Sequence, residues 1–173
     1  GFEVTKEKRE YVLLPFCVAV DTREGSPFQF RGMKADAKHG GVPLIVPIES
    51  KTLKTCDYSI VGHETKIGVE RKSRNDFVMS LIQERDRFRR EFERMQEMER
   101  TYVVVEADWN SILSEPIPHS KVNPKSLFRT VISWQDEFPK THWWFCPGRA
   151  TAEHATLRIL QKYYEHREKQ GER

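Results

Sequence analysis

The sequence predicts an α/β domain built on a mixed β-sheet, and three observations carry that expectation. Short apolar runs such as "YVLLPFCVAVD" (11–21), "KIGVERK" (66–72), "TYVVVEADW" (101–109) and "THWWFC" (141–146) read as strands. Between them Phe77, Leu81, Phe88, Phe92 and Met95 recur at near-helical spacing. The chain has 173 residues, the size of one domain with a real core, and strands alternate with helices along it.

Each element follows in order. Residues 1–10 include "KEKRE" and are expected to form a charged arm, with one domain over 11–166 and a charged tail over 167–173. Residues 11–21 read as one buried strand that delivers Asp21 at its end. "TREGSPFQFRGMKADAKHGGVPLIVP" is rich in Gly, Pro and polar residues, so a long loop is expected, with a short strand at Leu44–Pro47. Loops of this length in compact domains are often functional. "DYSIVG" and "KIGVERK" read as two strands joined through Gly62–Lys66. From Asp76, an N-cap candidate, the pattern predicts one helix to about Arg100, with Arg85 occupying one slot of the apolar stripe. A Pro-containing loop, a helix over Pro124–Asp136, a last strand and a helix over Thr151–His166 complete the chain.

Composition narrows the partners. A net charge of +3 permits a nucleic-acid partner without demanding one. No apolar run approaches the ~20 residues of a membrane span. The three cysteines are scattered and lack C-x-x-C spacing, which argues against structural zinc and for a reducing, intracellular compartment.

The chemistry concentrates in "CDYSIVGHETKIGVERKSRND" (56–76). Strand alternation puts Glu70 and Lys72 on one face, which Asp57 at the start of the preceding strand can approach. Two carboxylates with room for water and a phosphate oxygen suit Mg²⁺. A lysine beside them can orient or deprotonate an attacking water, or steady charge on a phosphate. The bland alternative is the solvated face of an edge strand. Asp21, Glu24 and Asp76 at predicted strand ends weigh against it, because sites in open α/β sheets are built there.

"AVDTREGSPF", "CDYSI" and "VERKSRNDFVMSLI" closely resemble the XPF-type structure-specific endonuclease domain over roughly residues 14–165. The shared pattern is V-D-x-R-E, then G-D-Y, then E-R-K-x-x-x-D before an apolar helix. The strand ending at Glu106 and the "SLFRT" helix fit the same layout. The resemblance implies a restriction-endonuclease-like fold and Mg²⁺- or Mn²⁺-dependent cleavage of branched, flapped or single-strand-containing DNA in repair or recombination. Carried over by position, Asp57 and Glu70 are metal ligands and Lys72 the catalytic lysine. Asp21 and Glu24 complete the acidic cluster, binding metal directly or through water. Arg23 steadies the carboxylates or meets a phosphate. Arg71, facing away from Lys72, is structural or a partner for Asp76. Cys56 stands where the motif has glycine. No helicase phosphate loop or paired helix-hairpin-helix module is visible, as in stand-alone bacterial and phage members.

Other features carry competing readings. Arg85 and Arg89 are candidates for DNA contact, against intrahelical ion pairing. Lys121, Lys125 and Arg129 bracket a helix start that could hold a phosphate. Of Trp143 and Trp144, one is expected in the core, and the other is free to stack on a base or enter a homodimer interface. His63 is expected at the surface of its turn. Two functions compete with the metal-dependent endonuclease: a non-catalytic DNA-binding scaffold, and a restriction-type or resolvase-like nuclease.

Overall fold

The structure, a computed structural model, describes residues 10–171. Residues 1–9 of the expected charged arm lie outside them. In chain order the strands and helices are β1 (Val12–Leu13), β2 (Val18–Asp21), β3 (Leu44–Ile45), β4 (Ile48–Lys51), β5 (Tyr58–Ile60), β6 (Ile67–Ser73), α1 (Arg74–Ile82), α2 (Arg85–Met95), β7 (Arg100–Glu106), α3 (Trp109–Ser114), α4 (Pro124–Glu137), β8 (Thr141–Phe145) and α5 (Arg149–Gly171). Six strands make one sheet in the order β4-β2-β5-β6-β7-β8, while β1 and β3 pair separately. The β5 neighbours are antiparallel to it, and the β4-β2, β6-β7 and β7-β8 pairs are parallel, so the sheet is mixed.

Val103, Val104 and Val105 are all buried, as a strand covered on both faces requires. Val18, Val20, Tyr58, Ile67, Val69 and Val104 pack on one side with Ala152, Leu157 and Leu160 of α5. Val103 and Val105 point the other way, into a core built from α1, α2, α3 and α4. The same alternation sorts the charged residues. Asp21, Asp57, Glu70 and Lys72 fall out of phase with the α5-facing set and therefore face α2, whereas Arg71 and Glu106 fall in phase with it.

Several local expectations are corrected. The stretch 11–21 is two strands, interrupted around Pro15, which has no N–H to give a ladder. The single helix from Asp76 is two helices: the N–H groups of Gln83 and Glu84 both reach Met79 O, at 2.9 and 3.1 Å, and the ladder stops there. All five stripe residues are buried, but Arg85 in the vacant slot is exposed at the start of the second helix. Ser73, not Asp76, caps α1: its Oγ accepts from Asp76 N at 3.2 Å, leaving the Asp76 carboxylate in the first turn, where the helix dipole favours it. Finally, α5 continues through the expected tail to Gly171, α3 occupies a stretch expected as loop, and β4 forms where no element was expected.

Candidate active site

Asp57 immediately precedes β5, Glu70 and Lys72 lie on β6, and Asp21 ends β2. The four line one cavity of about 270 Å³ between the sheet and α2. Backbone contacts fix the arrangement. Asp57 N donates to Val69 O at 3.0 Å, and Asp21 N to Asp57 O at 2.8 Å. Arg71 N donates to Asp57 Oδ2 at 2.8 Å, aiming that carboxylate.

Burial pushes the Asp57 carboxyl up to about 6, against the lowering effect of its hydrogen bonds to Glu70 and Arg71 N. Burial, and then the charge of Asp57, push Glu70 well above the usual carboxylate range, while Lys72 opposes both rises. Two carboxyls this close and this dry titrate as a pair. The Lys72 ammonium rests over the Phe88 ring, 4.8 Å from its centre, which holds it at the cavity wall.

The remaining acids of the expected cluster behave differently. Asp21 reaches the cavity, but Oδ1 accepts from Leu53 N at 3.0 Å and Oδ2 from Arg23 Nε at 2.8 Å. Arg23 also donates to Leu53 O at 2.5 Å, so it steadies Asp21 from the cavity rim. Glu24 does not line the cavity; it is paired with Arg71, Nη1 to Oε1 3.2 Å. Arg71 also donates to Glu106 at 2.6 Å, and that pair replaces the expected one with Asp76. Among the described residues, no group of three or more His, Cys, Asp or Glu side chains is arranged to hold a metal ion. Asp57 and Glu70 form a two-carboxylate donor set, which fits Mg²⁺ because that ion keeps several waters and takes its other oxygens from phosphate.

The ERCC4 domain family profile matches residues 20–156, most of the chain. The chain belongs to the ERCC4 domain family, the XPF-type nucleases. Among solved structures, XPF from Aeropyrum pernix is similar over 87% of this chain and 68% of that one, with 23% identity and a TM-score of 0.53. The same protein in complex with DNA is similar over 85% and 66%, with 24% identity and a TM-score of 0.51. These likenesses support the fold of a mixed sheet flanked by helices. No curated protein matches the chain.

Within this ERCC4 domain Cys56 acquires a physical meaning. Its φ is +69°, the left-handed region that glycine enters freely and a Cβ penalises by roughly 1–2 kcal/mol. A glycine before D-Y is therefore a conformational requirement that this chain meets with strain. The thiol is buried against Gly68, where an added Cβ would lie 2.7 Å from Cys56 Sγ. Burial raises the thiol well above its ordinary value, so it stays protonated beside the carboxylates.

The basic residues redistribute. Arg85 donates to Thr130 Oγ1 at 3.2 Å and lies over Trp134, and Arg89 pairs with Glu137 and lies over Phe138. Both tie α2 to α4 instead of facing the cavity. Besides Lys72, the cations that do line it are Arg23, Lys54, Arg87 and Arg94, and α2 adds the acid Glu91. Sequence reasoning passed over Lys54, Arg87, Glu91 and Arg94, although 87, 91 and 94 share the i, i+4, i+7 spacing of one helix face. Lys121 and Lys125 are exposed beside the start of α4, away from the cavity, where Asn123 Oδ1 already accepts from Lys125 N at 3.0 Å. Trp143 is half-buried in the core on the α2 side, and Trp144 is 51% exposed on the α5 side. His63 is half-buried, its ring edge-on to Tyr163 and Tyr164, contrary to the surface position expected.

Proposed function

We propose that this domain is a Mg²⁺- or Mn²⁺-dependent endonuclease that hydrolyses phosphodiester bonds in branched, flapped or single-strand-containing DNA during repair or recombination. The observation that carries the reading is the convergence of Asp57, Glu70 and Lys72 on one polar cavity. The DNA complex of a similarly folded XPF supports DNA as the substrate. A divalent cation held by Asp57 and Glu70 would supply Lewis-acid charge to phosphate and water oxygens. Arg71 N orients the Asp57 carboxylate for that task. Lys72, kept at the wall by Phe88, presents its ammonium to the attacking water or to the phosphate as charge gathers there. Lys54 and Arg23 on one side, and Arg87 and Arg94 on the other, meet flanking phosphates.

A scaffold without activity gains no support, since both carboxylates and the lysine of the expected site are present and line one cavity. Pairing of two copies belongs to the same proposal. The groove beside the edge strand β8, lined by Tyr102, Trp144, Ala155, Ile159 and Tyr163, is the apolar surface suited to it. Sedimentation of wild type against Trp144→Lys tests that part, with loss of the dimer expected. The activity is tested with labelled duplex, flap, fork, bubble and four-way substrates in Mg²⁺ and in Mn²⁺. Cleavage confined to branched or flapped forms is expected; sequence-specific cutting of plain duplex would point to a restriction-type enzyme instead.

A further inference from the structure

Across the sheet from the carboxylate cavity lies a second charged cluster, whose side chains take no part in the chemistry above. Arg71 stands between Glu70 and Lys72 on β6, and alternation sends its side chain to the α5 side. There Nε donates to Glu106 Oε1 at 2.6 Å and Nη1 lies 3.2 Å from Glu24 Oε1. Arg149, the first residue of α5, places Nη1 3.5 Å from the same Glu106 oxygen. Its Nη2 donates to the carbonyls of Ser26 and Pro27, at 2.9 and 3.3 Å. Both guanidiniums lie against the Phe28 ring, 5.4 Å from its centre for Arg71 and 4.8 Å for Arg149. The same segment is tied twice more: Phe28 N donates to Tyr58 Oη at 2.8 Å, and Phe30 N to Glu153 Oε2 at 3.0 Å.

The placement is informative because the groups are nearly dry. The side chains of Glu24, Glu106 and Arg71 are 9, 13 and 14% exposed. Covering a loop needs only apolar contacts, and ion pairs at this depth contribute less stability than well-packed hydrophobic residues would. What they add is geometry. Glu24, Ser26, Pro27, Phe28 and Phe30 tie the 22–30 segment to β5, β6 and α5, and Glu106 of β7 joins Arg71 to Arg149. That segment begins directly after Asp21 and carries Arg23 to the cavity. Arg71 connects the two faces, since its backbone N–H aims Asp57 while its side chain holds Glu24 and Glu106.

We propose that Glu106 and Arg149 are positioning residues for phosphodiester cleavage: with Arg71 they latch the 22–30 segment to β6 and to the start of α5, and so hold Arg23 and the Asp57 carboxylate in register with Glu70 and Lys72. The role rests on the nuclease reading above. Arg149 is the better probe, being partly exposed at the edge of the cluster, whereas Glu106→Gln strands the buried Arg71 charge.

The experiment compares full-chain wild type with Arg149→Leu, Arg149→Lys and Glu106→Gln. It measures cleavage of the best substrate, Mn²⁺ binding by titration calorimetry, amide exchange across 22–30 and thermal melting. For Arg149→Leu the expected result is a fall in kcat of about 10- to 100-fold with KM for DNA unchanged, the range typical of groups that orient metal ligands. Mn²⁺ affinity falls and exchange at Phe28 and Phe30 quickens, in a protein that still melts cooperatively. Arg149→Lys recovers only part of the loss, because one ammonium nitrogen cannot occupy both positions that Nη1 and Nη2 hold, toward Glu106 and toward the Ser26 and Pro27 carbonyls. A folded Arg149→Leu with wild-type kcat and Mn²⁺ affinity overturns the proposal, as does an activity loss that merely tracks the unfolded fraction. Wild type that cleaves no substrate overturns the nuclease reading, and this role with it.

Discussion

The two faces of β6 treat charge in opposite ways. Toward α2, Glu70 and Asp57 crowd together at one polar cavity where their ionisation is opposed by burial and by each other. Toward α5, one residue away on the same strand, Arg71 is matched by Glu24 and Glu106, and Glu106 again by Arg149. The strained face is where the proposed cation and phosphate would be accommodated, since positive charge there relieves both carboxyls, as Lys72 already does in part. The matched face marks what must not move. Local composition does not distinguish the two; pairing does.

The largest expected effect sharpens the first half of that contrast. Lys72→Ala should reduce cleavage by about 10²–10³-fold or more, measured in single turnover, with the fold intact by circular dichroism. Lys72 is partly exposed and its loss leaves only the Phe88 face uncovered.

The next effect runs against activity. Folding raises Asp57 from 3.8 to about 6, so the folded, metal-free protein binds this proton more tightly than the unfolded chain. That contribution is fully present below about pH 4 and is lost as pH rises through about 6. Asp57→Asn should therefore melt above wild type at pH 7.5 without metal, by up to about 3 kcal/mol in stability, with the gap closing near pH 4. Added Mg²⁺ should stabilise wild type and leave the variant unmoved. Equal stability of the two proteins at pH 7.5 would deny that the pair is strained.

Gly68→Ala tests how the cavity floor is packed. An added Cβ would meet Cys56 Sγ at 2.7 Å and Met98 Cε at 3.2 Å. A loss of about 1–3 kcal/mol in urea unfolding is expected, as for overpacking in a tight core. Pairing it with Cys56→Gly, which opens that space and frees the left-handed backbone, should recover much of the loss.

The smallest expected effect separates two sets of arginines on one helix. Arg87→Ala and Arg94→Ala should each weaken DNA binding across sequences and lower the salt dependence by about one unit of slope. Arg85→Ala and Arg89→Ala should lower the melting temperature and leave that slope unchanged, because their partners are on α4.

Much of the site was legible in the sequence because strand alternation is a rigid rule. It placed Glu70 with Lys72, and Arg71 opposite, from spacing alone. Pro124 likewise marked the start of α4. What escaped depends on distant partners or on backbone strain. Glu24 was grouped with the metal acids because its partner Arg71 is 47 residues away. The break at Gln83 and Glu84 carries no Gly or Pro, and it resets which arginines of α2 face the cavity. Hence Arg85 and Arg89 were favoured over Arg87 and Arg94. Cys56 concealed a glycine conformation behind a side chain.

The central claim is that Asp57 and Glu70 face α2 unpaired because they hold a divalent cation at which DNA is cut. Its most direct test is cleavage of a labelled flap or fork substrate by wild type and by folded Asp57→Ala, each in Mg²⁺, in Mn²⁺ and with chelator. The account predicts metal-dependent cutting by wild type, abolished by chelator and by the substitution. Full activity in Asp57→Ala, or undiminished wild-type activity with chelator present, would contradict it.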